Sequence, residues 1–385
     1  MNRFISLLKE MAKRFSLSLA RLFGIRFLDR TQTVVFLQPY EQLIQPESRL
    51  SLPAIADPAD PATVLFSARE AVAPTGAVWA YKPGNRPTRL LRCGNVQTDG
   101  QVLCTDFWNE YLLKDSLSRT TRQRVDTDVL VAPFGHYQDG IAFGGYYDFM
   151  YLVAAKLCRI ERAVPAHTFD QATVAYPLFN TSYERELLRY LGFQPDRILD
   201  SRHHEVHART TLLANSGHWF YTNEADVRAL RDRLMPLVEP STGPRERIYI
   251  SRAGRRRVLN EDALVTMLDR YKFRVIDDKP RTLAEQLTIY NRASFVMGPH
   301  GASFSNLIWC EPGTHLFELF SPNYTPDFFA YLAELMGLHY SAHAAGKPRP
   351  DGLQLLEDDM TVTVADVERG LNQLLERDYR ASVTR

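Results

Sequence analysis

Between residues 246 and 337 short apolar runs alternate with longer amphipathic ones, joined by connections of only a few residues, and this rhythm narrows the possible architectures more than any other feature. Ile248-Tyr249-Ile250 and the runs 273–277, 293–297 and 316–320 read as strands. The segments 260–271, 282–291, 302–309 and 326–337 read as the helices between and after them, and a final helix falls near 363–377. Strands separated each time by a helix do not pair as hairpins. They form a parallel sheet wrapped by helices, an α/β fold whose ligands bind at the carboxyl ends of the strands.

The first half has a different texture. The β-type runs Val34-Val35-Phe36-Leu37, Val64-Leu65-Phe66, 77–81 and Val102-Leu103-Cys104 are separated by segments rich in Pro, Asp and Gly. From 128 strand and helix alternate: 129–131 a strand, 145–161 a helix, 172–177 a strand, and 180–192 a helix capped at Asn180 or Thr181, with Glu184 as capping-box carboxylate in the second case. A strand-like stretch follows at 205–213 and a charged helix at about 224–238. Pro240 to Pro244 then stops the chain, because two prolines and a glycine neither continue a helix nor start a central strand. A length of 385 residues with 11% aromatics supports two cores. The reading is a basic segment over 1–30, a first α/β domain over 31–239, a second over 245–345, and a tail with its closing helix over 346–385.

Charge excludes some partners. The 46 Lys and Arg nearly cancel the 45 Asp and Glu, which leaves no domain-wide basic excess for nucleic acid. Residues 1–30 are the exception, with seven basic residues against two acidic. Phe4, Leu8, Met11, Phe15, Leu19 and Leu22 recur there at three- and four-residue spacing, the pattern of a basic amphipathic helix in peripheral contact with an anionic membrane or packed on its own domain. Charges interrupt the apolar run and no small-residue cleavage site closes it, so a signal peptide fits poorly. No stretch reaches the ~18 apolar residues of a membrane-spanning helix. Cys93, Cys104, Cys158 and Cys310 form no C-x-x-C pair and sit in apolar runs; they read as buried free thiols, which suits a reducing, cytoplasmic setting.

Three places carry chemistry. Gly298-Pro299-His300-Gly301-Ala302-Ser303 follows an apolar strand and precedes an apolar helix, so the backbone can approach a ligand and the helix start favours phosphate. His300 is placed to donate to a phosphate oxygen or a leaving group, a tight turn with a capping histidine being the alternative. Arg252 lies just past the strand 246–250, on the same rim, while Arg255-Arg256-Arg257 reads as a solvated loop. Glu318, flanked by Phe317, Leu319 and Phe320, is costly to bury without partners; it accepts from ligand hydroxyls or is a satisfied structural acid. A metal centre has less support. Asp126-Thr127-Asp128 has the Asp-x-Asp form but precedes the strand 129–132. His203, His204 and His207 lack zinc spacing, and no Gly-x-Ser-x-Gly elbow or phosphate-binding Walker loop occurs.

Ile248 to Arg252, Arg257-Val258-Leu259-Asn260-Glu261, Leu283 to Gln286, Val296 to Ala302, Asn306 and Pro312 to Phe320 together resemble glycosyltransferase family 61, whose bacterial members build capsular and other surface polysaccharides. The resemblance covers about 245–345 in detail and the preceding hundred residues more loosely. It implies a GT-B-like pair of Rossmann-like domains facing a central cleft, and inverting, metal-independent transfer with no cofactor. It further implies a nucleotide diphosphate sugar donor, UDP-linked, on the C-terminal domain, and a glycan or lipid-linked glycan acceptor. Carried over, Arg252 and the loop Gly298, His300, Gly301, Ala302 and Ser303 hold the diphosphate with Asn306 nearby, and Glu318 meets the ribose. The first domain departs from the pattern: where members usually carry Asn-x-Tyr-His followed by an aromatic residue and an acid, this chain has Gly144-Gly145-Tyr146-Tyr147-Asp148. Asp148 is then the candidate general base, with His136 and Asp139 as competitors. The missing histidine leaves a non-catalytic scaffold of a polysaccharide assembly complex as the rival reading.

Overall fold

The computed structural model describes residues 18, 21, 22, 24–84, 86–106, 121–134, 145–240, 242–347, 349, 350, 353 and 356–383, with side chains of the last helix described as far as 376. The alternating half forms β1 (Glu246–Ile250), α1 (Glu261–Arg270), β2 (Phe273–Ile276), α2 (Leu283–Asn291), β3 (Ala293–Pro299), β4 (His315–Phe320), α3 (Phe328–Leu335), β5 (His339–Ala344) and α4 (Val364–Val383). Every strand pair here is parallel, and the order across the sheet is β2-β1-β3-β4-β5. The chain thus goes outward from β1 to β2 and returns on the other side of β1 to β3. At that reversal the connections from the carboxyl ends of β1 and β3 diverge, the place where open α/β sheets generally bind their ligands.

Local chemistry explains the element ends. Thr282 caps α2 by accepting from the Glu285 amide at 3.2 Å, and the Glu285 carboxylate accepts from the Thr282 amide at 2.7 Å, a reciprocal capping box. The run Ala302–Trp309 winds as a 3₁₀-helix rather than the expected α-helix. Asn306 tightens it by donating to the Ser303 carbonyl at 3.1 Å and accepting from the Trp309 indole at 2.9 Å. One face of the sheet, with Tyr249, Phe295, Met297, Phe317 and Leu319, packs on Leu264, Met267 and Leu268 of α1 and Val367, Leu371 and Leu374 of α4. Alternation along β4 sends Leu316, Glu318 and Phe320 to the opposite face, which is how a carboxylate enters the interior.

The chain divides into two compact units, and the division departs from the expected boundaries. One unit holds the described residues up to Glu47 and Ala73–Leu230; the other holds Ser48–Val72 and the chain from Arg231 onward. The excursion 48–72 joins the parallel sheet's unit because Asp57 pairs with His343 of β5 at 2.8 Å and Arg369 of α4 donates to the Ala59 carbonyl at 3.0 Å. The stretch beyond 346 is likewise integral. Asn260 and Val362 exchange two hydrogen bonds, and Val258 bridges Met360.

In the other unit a mixed sheet centres on His204–Ala214, parallel to Gln123–Ala132 and antiparallel to Gly76–Tyr81 and Thr88–Leu90. The expected strand at Val34–Leu37 is instead the end of a helix, Arg30–Leu37, because Asp29 and Gln32 form a capping box that outweighs the β-branched pair. Thr181 caps Ser182–Tyr190, accepting from Glu184. All four cysteines are buried free thiols. Among the described residues no helix is long and apolar enough to cross a membrane.

Candidate functional site

Arg252 leaves the carboxyl end of β1 at the reversal point. The strand end is fixed from behind: Tyr249 and Ser251 each donate from a hydroxyl to Glu261 at 2.9 Å, tying β1 to the first residue of α1. Arg252 Nη1 then crosses to β3 and donates to the His300 carbonyl at 2.9 Å. A Cβ on Gly301 would lie 1.4 Å from that nitrogen, so the glycine vacates the space the guanidinium fills. Gly298 serves a different purpose, since a Cβ there would meet the Ile250 backbone oxygen at 2.7 Å and prise β1 from β3. Ala302 and Ser303 open the 3₁₀-helix, whose start has no side-chain cap.

The arginine triplet splits. Arg255 pairs with Glu357 at 3.0 Å and Arg257 with Asp359 at 2.7 Å, as a solvated loop would. Arg256 between them turns inward, 8% exposed, with φ at 60°, its Nε buried without a hydrogen bond and its guanidinium 5.6 Å from the Tyr324 ring centre. Burial first, then the cations Arg252 and Arg255, lower its pKa to about 10, so it remains charged at neutral pH. Burial lowers Arg252 as well, with Asp278 opposing. Among the described residues neither Arg252 nor Arg256 is within salt-bridge distance of a carboxylate. Two desolvated cations at one rim without a paired anion are costly, and the arrangement suits an anionic ligand. Local spacing does not single out Arg256; the run of acids at 357–359 claims the arginines on either side of it.

His300 is buried among the rings of Phe320, Tyr324, Phe328 and Phe329, with centroids 5.3–5.9 Å away. Its Nδ1 lies 2.5 Å from Glu318 Oε1, and Glu318 Oε2 accepts from the Tyr340 hydroxyl at 2.7 Å. Glu318 has no exposed surface and both oxygens are engaged, so the contact with a ribose is replaced by one with His300. Asn306, also buried, ties the 3₁₀ turn together rather than reaching outward.

In the other unit Asp148 is 8% exposed at the start of a short helix, Tyr146–Asp148, that continues into π-helical turns at Phe149–Ala154. It accepts from the Trp219 indole at 2.9 Å and from the Gly145 amide at 3.4 Å. Trp219 follows the strand His204–Ala214, so the acid sits by that strand's carboxyl end. His136 and Asp139 lie outside the described residues, as does most of 1–30. Asp126 and Asp128 lie within the strand Gln123–Ala132 and face Arg124 at 2.8 Å and Arg209 at 3.2 Å. Among the described residues no cluster of His, Cys, Asp and Glu has the makings of a metal site.

A doubly wound α/β unit that brings two arginines, neither within salt-bridge distance of a carboxylate among the described residues, to its strand-order reversal defines the class of α/β proteins whose ligand sites lie at that point of the sheet. The comparisons with known proteins specify it further: the family model Glycosyltransferase 61 matches residues 103–317, and the chain belongs to that family. Among curated proteins it is similar to the EGF domain-specific O-linked N-acetylglucosamine transferase of Drosophila melanogaster, 31% identical over 127 residues. The similar stretch covers 31% of this chain and 24% of that relative.

Proposed function

We propose that the protein transfers a sugar, with inversion and without a metal, from a UDP-linked donor to a glycan acceptor in the synthesis of a surface polysaccharide, in a GT-B-type arrangement. The observation that carries this reading is the pair Arg252 and Arg256 beside the Gly298–Ser303 turn, both short of a carboxylate partner among the described residues. Two guanidinium groups and the amides of the turn stabilise the negative charge that grows on the departing diphosphate, the task a divalent cation performs elsewhere. Asp148 is the base that takes the acceptor proton; the hydrogen bond it accepts from Trp219 orients its carboxylate.

Titration calorimetry with UDP tests the donor half. Arg252→Ala is expected to weaken UDP by about ten- to a hundredfold, the range of a lost charge-assisted bond. Wild-type affinity in that variant, or no nucleotide binding by the wild type, sinks the assignment. A hydrolysis screen of nucleotide sugars should begin with UDP-N-acetylglucosamine, the sugar in the Drosophila relative's name. For the base, Asp148→Asn should lower kcat by about 10²–10⁴ while UDP binds as before. A variant that loses both has been misread as catalytic.

A further inference from the structure

We propose that Glu318, itself held by Tyr340, is a positioning residue that keeps a proton on His300 Nε2, so that the buried ring presents an N–H to the departing phosphate. The ligand in this statement rests on the donor reading above; the state of the ring does not.

His300 Nδ1 and Glu318 Oε1 lie 2.5 Å apart, a separation that holds one proton between the two atoms. That proton belongs either to the acid or to the ring. In both cases Nε2 carries its own hydrogen as long as the pair retains both protons. If the pair loses one, the remaining ring proton settles on Nδ1 facing the carboxylate, and Nε2 becomes a lone pair that repels a phosphate oxygen. Among the described residues nothing else hydrogen-bonds to Nε2, which makes it the nitrogen left for a ligand.

The surroundings favour the doubly protonated pair. Phe320, Phe328 and Phe329 offer no solvation to a carboxylate, and burial pushes Glu318 up to about 8, opposed by the Tyr340 hydrogen bond and the Arg256 charge. Burial, then Arg256 and Arg252, hold the ring well below the usual histidine range, so the proton between the two stays on the acid. Tyr324, the remaining titratable group against the ring, and Tyr340 are both raised by burial and stay protonated. A phosphate beside Arg252 and Arg256 adds negative charge and disfavours the loss of a proton from the pair. Binding is therefore strongest below about 8 and weakens as pH rises through it.

Two measurements on the full chain test this. In ¹⁵N-histidine-labelled protein the His300 signal, assigned by its loss in His300→Gln, should show protonated Nε2 at pH 7. UDP affinity should fall about tenfold from pH 7 to pH 9, and titration of the nucleotide itself is read separately because it affects every variant alike. Glu318→Gln keeps a donor against Nδ1 but cannot titrate, so it should retain the Nε2–H form and lose the pH dependence. Tyr340→Phe removes the donor to Oε2 and should move the pH step upward. A wild-type ring protonated only at Nδ1 at pH 7, or the same pH step surviving in Glu318→Gln, overturns the proposal. If UDP does not bind at all, the donor reading fails, and the nitrogen shifts still decide the state of the ring.

Discussion

Arg256 combines two costs that a residue chosen for stability would avoid. Its backbone sits at φ 60°, a conformation that costs a side-chain-bearing residue about 1–2 kcal/mol, and its cation is desolvated with no carboxylate in salt-bridge distance among the described residues. The contact with the Tyr324 ring returns only about 0.5–1 kcal/mol. Arg256→Asn tolerates the backbone and removes the charge. It should stabilise the ligand-free protein by about 1 kcal/mol, a Tm rise of about 2–4 °C, while weakening UDP by about tenfold. Melting curves with and without UDP read both effects, and a fall in both would make Arg256 structural. At this scale Arg252 was legible because it abuts a strand end in a parallel sheet. Arg256 was not, because the acids that claim Arg255 and Arg257 lie 102 residues away and no local spacing says which of three arginines they leave.

The turn between β3 and the 3₁₀-helix shows how two glycines in one loop have separable functions. A Cβ at Gly301 meets the end of a flexible side chain, Arg252 Nη1, which can swing away; a Cβ at Gly298 meets the Ile250 backbone, which cannot. Gly301→Ala should leave the fold intact and lower UDP affinity to the level of Arg252→Ala, and adding it to Arg252→Ala should cost little more. Additive losses in that double-mutant cycle would show that Gly301 acts on the ligand without Arg252. Gly298→Ala should instead lower the melting temperature. The rhythm of strands and helices makes this turn legible in the sequence, because apolar runs of fixed period place it between β3 and the following helix. The same rule is silent at β5, His339–Ala344, whose histidines and alanines carry no strand signature, so neither Tyr340 nor its hold on Glu318 is legible in the sequence.

Across the molecule, contiguity in sequence is a poor guide to which residues share a core. The excursion 48–72 reads as part of the first domain, yet Phe66 packs against Phe320 and Tyr340 with centroids 6.0 and 6.4 Å away, Arg69 pairs with Asp327, and Asp57 reaches His343 across 286 residues of chain. Periodicity describes neighbours along the chain and is silent about such pairings. The consequence for function runs through Tyr340: Phe66 backs the ring whose hydroxyl holds Glu318, and Glu318 holds His300. Replacing 48–72 by a short Gly/Ser linker should therefore speed hydrogen exchange in β5 and α4, with little change in Gln123–Ala132, and weaken UDP although Arg252, Arg256 and the 298–303 turn remain in the sequence. Unaltered exchange in β5 and α4 would mean that the excursion only decorates the unit it packs on.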